Sequence, residues 1–496
     1  MKNYYFLFLF LFISFSLNAQ FEVVKRLELP RKEGKEESYE VFTLGKEGVL
    51  IQKETETHAG KADWVFTKYD TDFKQQWEVT FKIGYDLGEF TQSFQNLHYI
   101  FWLFTQDQSR EISILRLDLA TGEQELFKGK LLDVLERVDE FKILGNQAFI
   151  AGEQRGRAVV ATFSFFDGSA KYLKGLYNKD ASITNVETDD SRNELQVTVR
   201  ERFKGKCSLT VKTYSYNGEL LRTLQARDEE GKSLISGEIL PISETEALLV
   251  GNYSNYCGTY ALGFYVSHLK EGEVGQPQFV QFSDLKNFFN FLRPKRQQRI
   301  KDKIEKKKQE GKDFEYPYAL SINKFIPTPE GSVLVAEAYY AQQRTSNPYS
   351  SSVRFDPPNR NGEQYKFTHV VMCGFDKEGK LIWDNCIKTT DLESLELAPQ
   401  VQIAEQNGNW ILNYIVKDKV FSQVAQKDKI LTDNQEFKLK FEPRIDDAEN
   451  NQIATWYDQT FLTFGKQRVN TGNENHASFE TIFCLTKMRY KLKMEN

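Results

Sequence analysis

The chain has few of the residues that stabilise small or irregular folds. It contains 5 cysteines and 12 prolines in 496 residues, and no Cys-x-x-Cys pair occurs. So few cysteines exclude a disulfide framework as the main source of stability. Aromatic residues make up 14% of the chain. With so little proline, this content favours packed sheets over disorder, because aromatic rings suit half-buried strand faces.

Motifs for chemistry are also missing. None of the five histidines (His58, His98, His268, His369 and His476) stands at a metal-ligand spacing from another. There is no Gly-x-Ser-x-Gly elbow and no phosphate-binding glycine loop. The adjacent acidic pairs would point to opposite faces of a strand. The sequence therefore favours a protein that is not an enzyme and uses no metal or cofactor. It leaves open that carboxylates from separate repeats meet in a central channel.

One apolar run stands at the N-terminus. Lys2 precedes a run from Tyr4 to Phe15, and a small-residue segment ends at Ala19. This pattern predicts a signal peptide over residues 1–19 and a mature chain that begins at Gln20; an N-terminal anchor is the alternative. We expect an exported protein, periplasmic or outer-surface, with no transmembrane segment after cleavage. A formal net charge of -5 excludes a global electrostatic partner, and export argues against nucleic acid.

A hairpin signature recurs along the chain. Its clearest copy runs from Val371 to Trp383, with an apolar strand, a polar turn at Gly379 and a strand that carries tryptophan. Looser copies surround Asp72, Gly122, Gly168, Gly218, Gly272 and Asp428. The copies are about 50 residues apart, a period found in arrays of small sheets such as propeller blades. One interval is about twice as long, and it returns to the period when two insertions are removed.

The period predicts an all-β fold. Strands of five to eight residues, separated by Gly, Asn and Asp, favour a β-propeller with eight blades over one with seven. We expect residues 20–496 to form one propeller domain. A spare strand, Phe21 to Leu29, precedes the first unit and would complete the last blade, leaving short, protected edges.

Two turns resemble a known repeat. Leu117–Gly122 and Phe375–Trp383 are similar to the Asp-x-x-Thr-Gly-x-x-x-Trp motif of quinoprotein-like β-propellers. The resemblance implies a propeller in which a tryptophan packs between blades. Trp383 keeps that residue and Trp77 does so more loosely, whereas other copies carry Leu126, Tyr172 or Arg222. It implies no function for this chain.

The basic insertion is the most distinctive local feature. Residues 284–318 are helical in character, and Arg293 to Lys312 contain ten basic and three acidic residues. Phe288 and its aromatic neighbours would anchor a first helix, and a second, protruding basic helix would follow Pro294. The predicted partner-binding residues are Arg293, Lys295, Arg296, Arg299, Lys303 and Lys307. A solvated helix neutralised by its own Asp302 and Glu305 is the alternative.

A second insertion and the cysteines complete the predictions. Residues 344–364, rich in Ser, Asn, Pro and Arg, predict a flexible surface loop. Cys373 and Cys386 could be bridged if they lie opposite each other in an unbulged hairpin, but a bulged turn would set Cys373 opposite Trp383. Cys207 and Cys257 stand one period apart and could bridge neighbouring blades. Cys484 is expected to be a buried thiol.

These observations lead to one functional hypothesis and one alternative. The hypothesis is an exported, non-enzymatic binding or scaffold propeller of a bacterial envelope, which docks a protein partner through one rim and the basic insertion. Contact with an anionic surface is a second use of the same helix. The alternative is a glycan- or peptide-processing hydrolase with its site in the central channel.

Overall fold

The computed structural model describes residues 18–30, 37–56, 62–228, 231–243, 246–270, 272–343, 363–439, 445–470 and 479–493. Residues 1–17 of the predicted signal peptide (1–19) and residues 344–362 of the predicted loop (344–364) lie outside this range, while the last two residues of each prediction belong to strands. The described strands form eight small antiparallel sheets, and the fold class is an eight-bladed β-propeller with one helix. The prediction of eight blades is confirmed, and the seven-blade alternative is wrong.

The chain divides into two compact units, Arg31–Val401 and Met1–Pro30 with Gln402–Asn496. Strands are numbered along the chain from β1 (Asn18–Pro30), which belongs to the smaller unit. The larger unit holds blades 1 to 6. Blade 1 comprises β2 (Glu37–Thr43), β3 (Val49–Glu56), β4 (Ala62–Tyr69) and β5 (Gln75–Ile83); blade 2 comprises β6 (Glu89–Gln95), β7 (Tyr99–Thr105), β8 (Glu111–Asp118) and β9 (Gln124–Lys130); blade 3 comprises β10 (Arg137–Leu144), β11 (Gln147–Gln154), β12 (Arg157–Ser164) and β13 (Ala170–Tyr172).

Blades 4 to 6 complete the larger unit. Blade 4 comprises β14 (Ala181–Asp189), β15 (Glu194–Phe203), β16 (Lys206–Ser215) and β17 (Leu220–Ala226); blade 5 comprises β18 (Ser233–Leu234), β19 (Glu238–Pro241), β20 (Glu246–Ser254), β21 (Gly263–Lys270), β22 (Glu273–Val274) and β23 (Gln278–Gln281); blade 6 comprises β24 (Ala319–Thr328), β25 (Gly331–Gln343), β26 (Glu363–Asp376) and β27 (Leu381–Ser394). The described helices are α1 (Pro294–Gln309) and three 3₁₀ helices (Gly45–Glu47, Tyr85–Leu87 and Phe288–Phe291). None of these described helices has the length and apolar content of a membrane span.

The smaller unit holds blades 7 and 8. Blade 7 comprises β28 (Gln402–Gln406), β29 (Asn409–Val416), β30 (Lys419–Gln426), β31 (Lys429–Ile430) and β32 (Gln435–Lys438), and blade 8 comprises β33 (Ile445–Thr455), β34 (Thr460–Asn470) and β35 (Phe479–Lys493) with β1. Strand β1 pairs antiparallel with β35, so that Phe21 lies opposite Tyr490 and Leu27 opposite Leu485. The predicted spare strand therefore does complete the last blade. Phe21 is buried and packs beside Phe437 of blade 7.

The recurring signature turns join the third and fourth strands of their blades. In blade 2, the Asp118 carboxylate accepts hydrogen bonds from the backbone N–H groups of Ala120 and Thr121, at 2.8 Å each. This local bond explains the aspartate of the motif, because it satisfies turn donors that the strands leave unpaired. Gly379 has a φ of +72° in blade 6, and a Cβ there would lie 2.7 Å from Val266 of blade 5. The motif glycine thus provides both a left-handed turn and a close approach to the preceding blade.

The cysteines resolve the alternatives that the sequence left open. Cys207 and Cys257 form a disulfide between blades 4 and 5. Cys373 lies opposite Asp384, because a bulge after Gly374 shifts the hairpin, so neither predicted partner position was right. Cys373 and Cys386 are buried free thiols. Cys484 is also buried and free, as predicted, and it accepts a hydrogen bond from Arg26.

Candidate docking surface

Two backbone bonds and two phenylalanines fix the start of the basic insertion. The Asp384 carboxylate on β27 accepts hydrogen bonds from the backbone N–H of Lys286 (2.9 Å) and of Asn287 (2.6 Å). Phe288 and Phe289 follow in the 3₁₀ helix and are fully buried in a core cluster of blades 5 and 6. The insertion is therefore attached to the blades by both polar and apolar contacts. The predicted anchoring by Phe288 is what the structure shows, although the first helix is a single 3₁₀ turn.

A buried histidine lies under this anchor. The His369 ring on β26 stacks on Phe291, with ring centroids 3.8 Å apart and an interplanar angle of 7°. Burial lowers the pKa of His369 to about 3, so the imidazole is neutral at physiological pH. Its Nδ1 bonds the Thr368 hydroxyl at 2.9 Å, while its Nε2 has no hydrogen-bond partner in the described chain. The residue acts as a packing group.

Helix α1 lies on the blades through its own apolar side chains. Pro294 opens the helix, where a missing N–H costs nothing, and Gly311 with a φ of +68° follows its end. Ile300 and Ile304, one turn apart, are buried in the same cluster as Phe288. The basic helix therefore contacts the core through one turn near its middle, at Ile300 and Ile304.

The predicted partner residues share one flank of α1. Since a helix turns by about 100° per residue, Lys295, Arg296, Arg299, Lys303 and Lys307 fall within about a third of its circumference, beside Ile300 and Ile304. We call these five residues the basic stripe. Four of the five are exposed and Lys307 is half-buried, while Arg293 is exposed just before the helix.

The basic stripe is not neutralised by the insertion itself. Lys307 approaches Glu310 at 3.7 Å, but within the described residues no ion pair forms at Arg293, Lys295, Arg296, Arg299 or Lys303. Asp302 accepts a hydrogen bond from Gln298 instead (2.8 Å). The opposite flank is occupied by its own chain, because Lys308 pairs with Asp284 at 2.8 Å and Gln297 donates to the Phe289 carbonyl at 3.2 Å. These contacts disfavour the alternative of a solvated helix that is neutralised by its own Asp302 and Glu305.

Buried carboxylates on the first strands were not assigned from the sequence. Burial raises the pKa of Glu40 on β2 and of Glu238 on β19 to about 7, and the negative charges of Glu396 and Glu54 add to the effect at Glu40. Burial also raises the pKa of Glu187 on β14, which accepts a hydrogen bond from Asn185 (2.9 Å) and increases the pKa of Glu238 by its charge. A cavity of 360 Å³ is lined by Glu187, Arg192 and Ile239 among others.

A loop carboxylate and an aromatic pair elsewhere in the chain have structural roles. The Asp189 carboxylate accepts backbone hydrogen bonds from Ser191 (3.0 Å) and Arg192 (3.2 Å), as expected of a loop carboxylate. Trp456 is 6% exposed and packs on Tyr457, so core packing accounts for this aromatic pair. Among the described residues, no group of three or more His, Cys, Asp or Glu side chains is arranged to hold a metal ion.

Comparisons with known proteins report on the fold. No protein-family model matches the chain and no curated protein matches it. Among solved structures it is similar to the polysaccharide lyase Uly1, with 8% identity, coverage of 80% of this chain and 89% of that chain, and a TM-score of 0.39. An acylaminoacyl peptidase of Pyrococcus horikoshii is 9% identical, with coverage of 83% of this chain and 53% of that chain and a TM-score of 0.35. TolB of Acinetobacter baumannii is 12% identical, with coverage of 73% of this chain and 66% of that chain and a TM-score of 0.30. Similarities this weak carry no argument about activity.

Proposed function

We propose that this protein is an exported, non-enzymatic binding or scaffold propeller of a bacterial cell envelope, which docks an acidic protein partner through α1. The observation that carries the proposal is the basic stripe. Among the described residues, only Lys307 of the stripe forms an ion pair, and the helix is held by the Asp384 carboxylate and by four buried side chains, Phe288, Phe289, Ile300 and Ile304. The folded helix loses little backbone freedom when a partner binds, which favours affinity, while its exposed side chains still lose rotamer freedom.

The stripe would act mainly on encounter and orientation. An exposed ion pair contributes about 0.2–1 kcal/mol, so five pairs supply on the order of 1–5 kcal/mol, reduced by salt. Complementary charge raises the association rate more than it slows dissociation. We therefore expect a salt-sensitive interaction with an acidic surface.

Two observations support export. The N-terminal pattern is typical of a signal peptide, and the Cys207–Cys257 disulfide is of the kind that forms in an oxidising compartment. N-terminal sequencing of protein from the native envelope tests this part, and we expect Gln20 as the first residue. A mature chain that begins at Met1 would contradict export by cleavage. The resemblance to quinoprotein-like repeats concerns the turn motifs only and carries no function.

Affinity capture tests the docking proposal. The wild type would be compared with a stripe variant, in which Arg296, Arg299, Lys303 and Lys307 are all replaced by Gln. A matched control would lose the same charge from exposed lysines outside the insertion: Lys74, Lys179, Lys377 and Lys429. We expect acidic envelope proteins to bind the wild type and the control but not the stripe variant. An identical set of proteins on all three would overturn the proposal.

The carboxylates favour a second candidate, a glycan- or peptide-processing hydrolase. Such an enzyme needs one carboxyl group that stays protonated near neutral pH and a second that is ionised. Glu238, with a pKa of about 7, has the first property, and Glu187 is its neighbour across blades 4 and 5. Assays on polysaccharide and peptide substrates, with Glu238→Gln and Glu187→Gln, test this candidate. Activity that survives both substitutions, or is absent from the wild type, would exclude this site.

A further inference from the structure

A second surface feature lies beside the insertion and is not explained by the basic stripe. Three aromatic rings project into solvent: Phe203 is 73% exposed, Tyr256 is 74% exposed and Tyr260 is 60% exposed. Phe203 is the last residue of β15, before the turn that leads to β16, and both tyrosines belong to the loop between β20 and β21. We call these rings, with Lys204 and Lys206, the aromatic ledge.

The ledge is rigidly built from two blades. The Cys207–Cys257 disulfide joins the blade 4 turn to the blade 5 loop. Backbone Cys257 N–H donates to the Gly205 carbonyl at 3.0 Å, and the Lys206 ammonium donates to the Asn255 carbonyl at 2.6 Å. Exposure of three aromatic rings to water is unfavourable for an isolated chain. Because the disulfide holds the segments that carry these rings in place, their exposure indicates a binding role.

Cations accompany the rings. The Lys204 ammonium lies 5.2 Å from the centroid of Phe203, and that of Lys206 lies 5.4 Å from the centroid of Tyr256. Arg202 is exposed beside them. The acidic groups nearby are already engaged, since Glu201 accepts from Thr210 at 2.9 Å and Glu315 accepts from Asn255 at 2.6 Å.

The ledge is continuous with the segment that leaves α1. The Asn255–Glu315 bond joins the loop to that segment, and a two-bond bridge joins Ala261 to Tyr318, with N–O distances of 2.7 and 2.9 Å. Tyr318 in turn lies near the basic stripe. Burial raises the pKa of its phenol, and the positive charge of Arg296 opposes this shift. The ledge and the basic stripe therefore both lie near the segment that leaves α1.

We propose that the aromatic ledge is the anchoring half of a two-part docking surface, and that it takes an acidic protein segment bearing aromatic side chains. This inference rests on the proposed function, in which the basic stripe attracts the same partner. Tyrosine and arginine dominate the binding energy of protein interfaces, where aromatic anchors fill the partner's pockets. The stripe would guide the encounter, and the ledge would slow dissociation.

An acidic peptide fits the ledge better than a sugar chain does. One face of Phe203 and one face of Tyr256 already carry an ammonium group. Acidic side chains of a peptide can pair with these ammonium groups while its aromatic side chains pack edge-on against the rings. A sugar ring would need to stack flat on an uncovered face. The partner's class is therefore set by the cations as much as by the rings.

Polymers of known composition test the inference without knowledge of the natural partner. The probes are poly-glutamate, a random copolymer of glutamate and tyrosine, and polygalacturonate as an acidic polysaccharide. Each is titrated by fluorescence anisotropy against the full chain. A ledge variant carries Phe203→Ser, Tyr256→Ser and Tyr260→Ser, and Phe166→Ser is the matched control because Phe166 is 91% exposed on another turn. The stripe variant described above is the third protein.

We expect the wild type to bind the copolymer more tightly than poly-glutamate. The ledge variant should lose about 30-fold in affinity for the copolymer, the fold-change equivalent to about 2 kcal/mol for one good anchor, with little change for poly-glutamate. The Phe166 control should bind as the wild type does. The stripe variant should bind both polypeptides more weakly.

Each other outcome has a distinct meaning. If the copolymer binds no better than poly-glutamate, or binds the ledge variant equally well, the ledge inference is overturned while the stripe proposal stands. If the stripe variant binds poly-glutamate like the wild type, the proposed function is wrong whatever the ledge does. If polygalacturonate binds most tightly and this binding is lost in the ledge variant, the ledge is a glycan site and the inference is overturned.

Discussion

Removal of the inter-blade disulfide gives the most quantitative prediction. The perturbation is the double substitution Cys207→Ser and Cys257→Ser. The bond closes a loop of 50 residues, and a cross-link of that span lowers the entropy of the unfolded chain by an amount worth about 4 kcal/mol at room temperature. Serine is close to cysteine in size, so little packing is lost at Cys207, which is 4% exposed. We expect a loss of about 2–4 kcal/mol in the free energy of unfolding.

Urea unfolding in oxidising buffer measures this loss, with hydrogen exchange to locate it. The midpoint should fall, the slope should rise because the unfolded chain without the cross-link is less compact, and exchange should rise in the β15–β16 turn and the β20–β21 loop. Cys484→Ser is the control, because it removes a buried thiol and leaves the cross-link intact. A midpoint equal to that of the wild type, with unchanged exchange in blades 4 and 5, would refute the reasoning. So would an equal loss in the Cys484 control.

Three further predictions concern single positions. Asp384→Ala leaves two backbone donors of the insertion without their charged acceptor and should lower the free energy of unfolding by about 2–4 kcal/mol. Limited proteolysis should then cleave α1 earlier, and cleavage at the wild-type rate would contradict the anchoring role. Burial raises the pKa of Glu337 to about 7, so its contribution to the free energy of unfolding is fully present below its ordinary pKa near 4.5 and is lost as pH rises through 7. Urea titrations between pH 4 and 8 should show this fall of about 3 kcal/mol in the wild type and not in the Glu337→Gln variant. An identical pH profile in both proteins would contradict the prediction. In Gly379→Ala the new methyl group would contact the neighbouring blade, and the free energy of unfolding should fall by about 2 kcal/mol more than in Gly168→Ala. Gly168 has a similar φ of +68°, but a Cβ there would lie in open space. Equal melting temperatures of the two variants would contradict the close approach at Gly379.

The sequence was sufficient for the parts of the fold that repeat locally. Turn residues such as Asp118 and Gly379 bond or bend within a few positions, so their spacing revealed the blades. The edge strand around Phe21 was predictable because a closed array needs a partner for its last sheet. Pro294, Ile300 and Gly311 likewise fix the limits and the buried side of α1 through helix geometry alone.

Features set by non-local contacts could not be predicted. The opposition of Cys373 and Asp384 depends on a bulge that shifts the hairpin by one residue, and no nearby residue announces it. The raised pKa of Glu238 depends in part on the charge of Glu187, about 50 residues away in sequence, so the type and position of Glu238 alone resemble an ordinary strand residue. Exposure of Phe203 is hidden for the same reason, although its place before Lys204-Gly205 at a turn was a usable signal.

Photo-crosslinking from the two flanks of α1 tests the central claim most directly. A photoreactive residue would replace either Arg299, in the basic stripe, or Lys301, which is also exposed but faces the opposite flank. The proteins would be irradiated in the native envelope and their adducts identified by mass spectrometry. We expect an acidic protein to be captured from position 299 and not from position 301. Equal capture from both positions, or none from position 299, would contradict docking through the stripe.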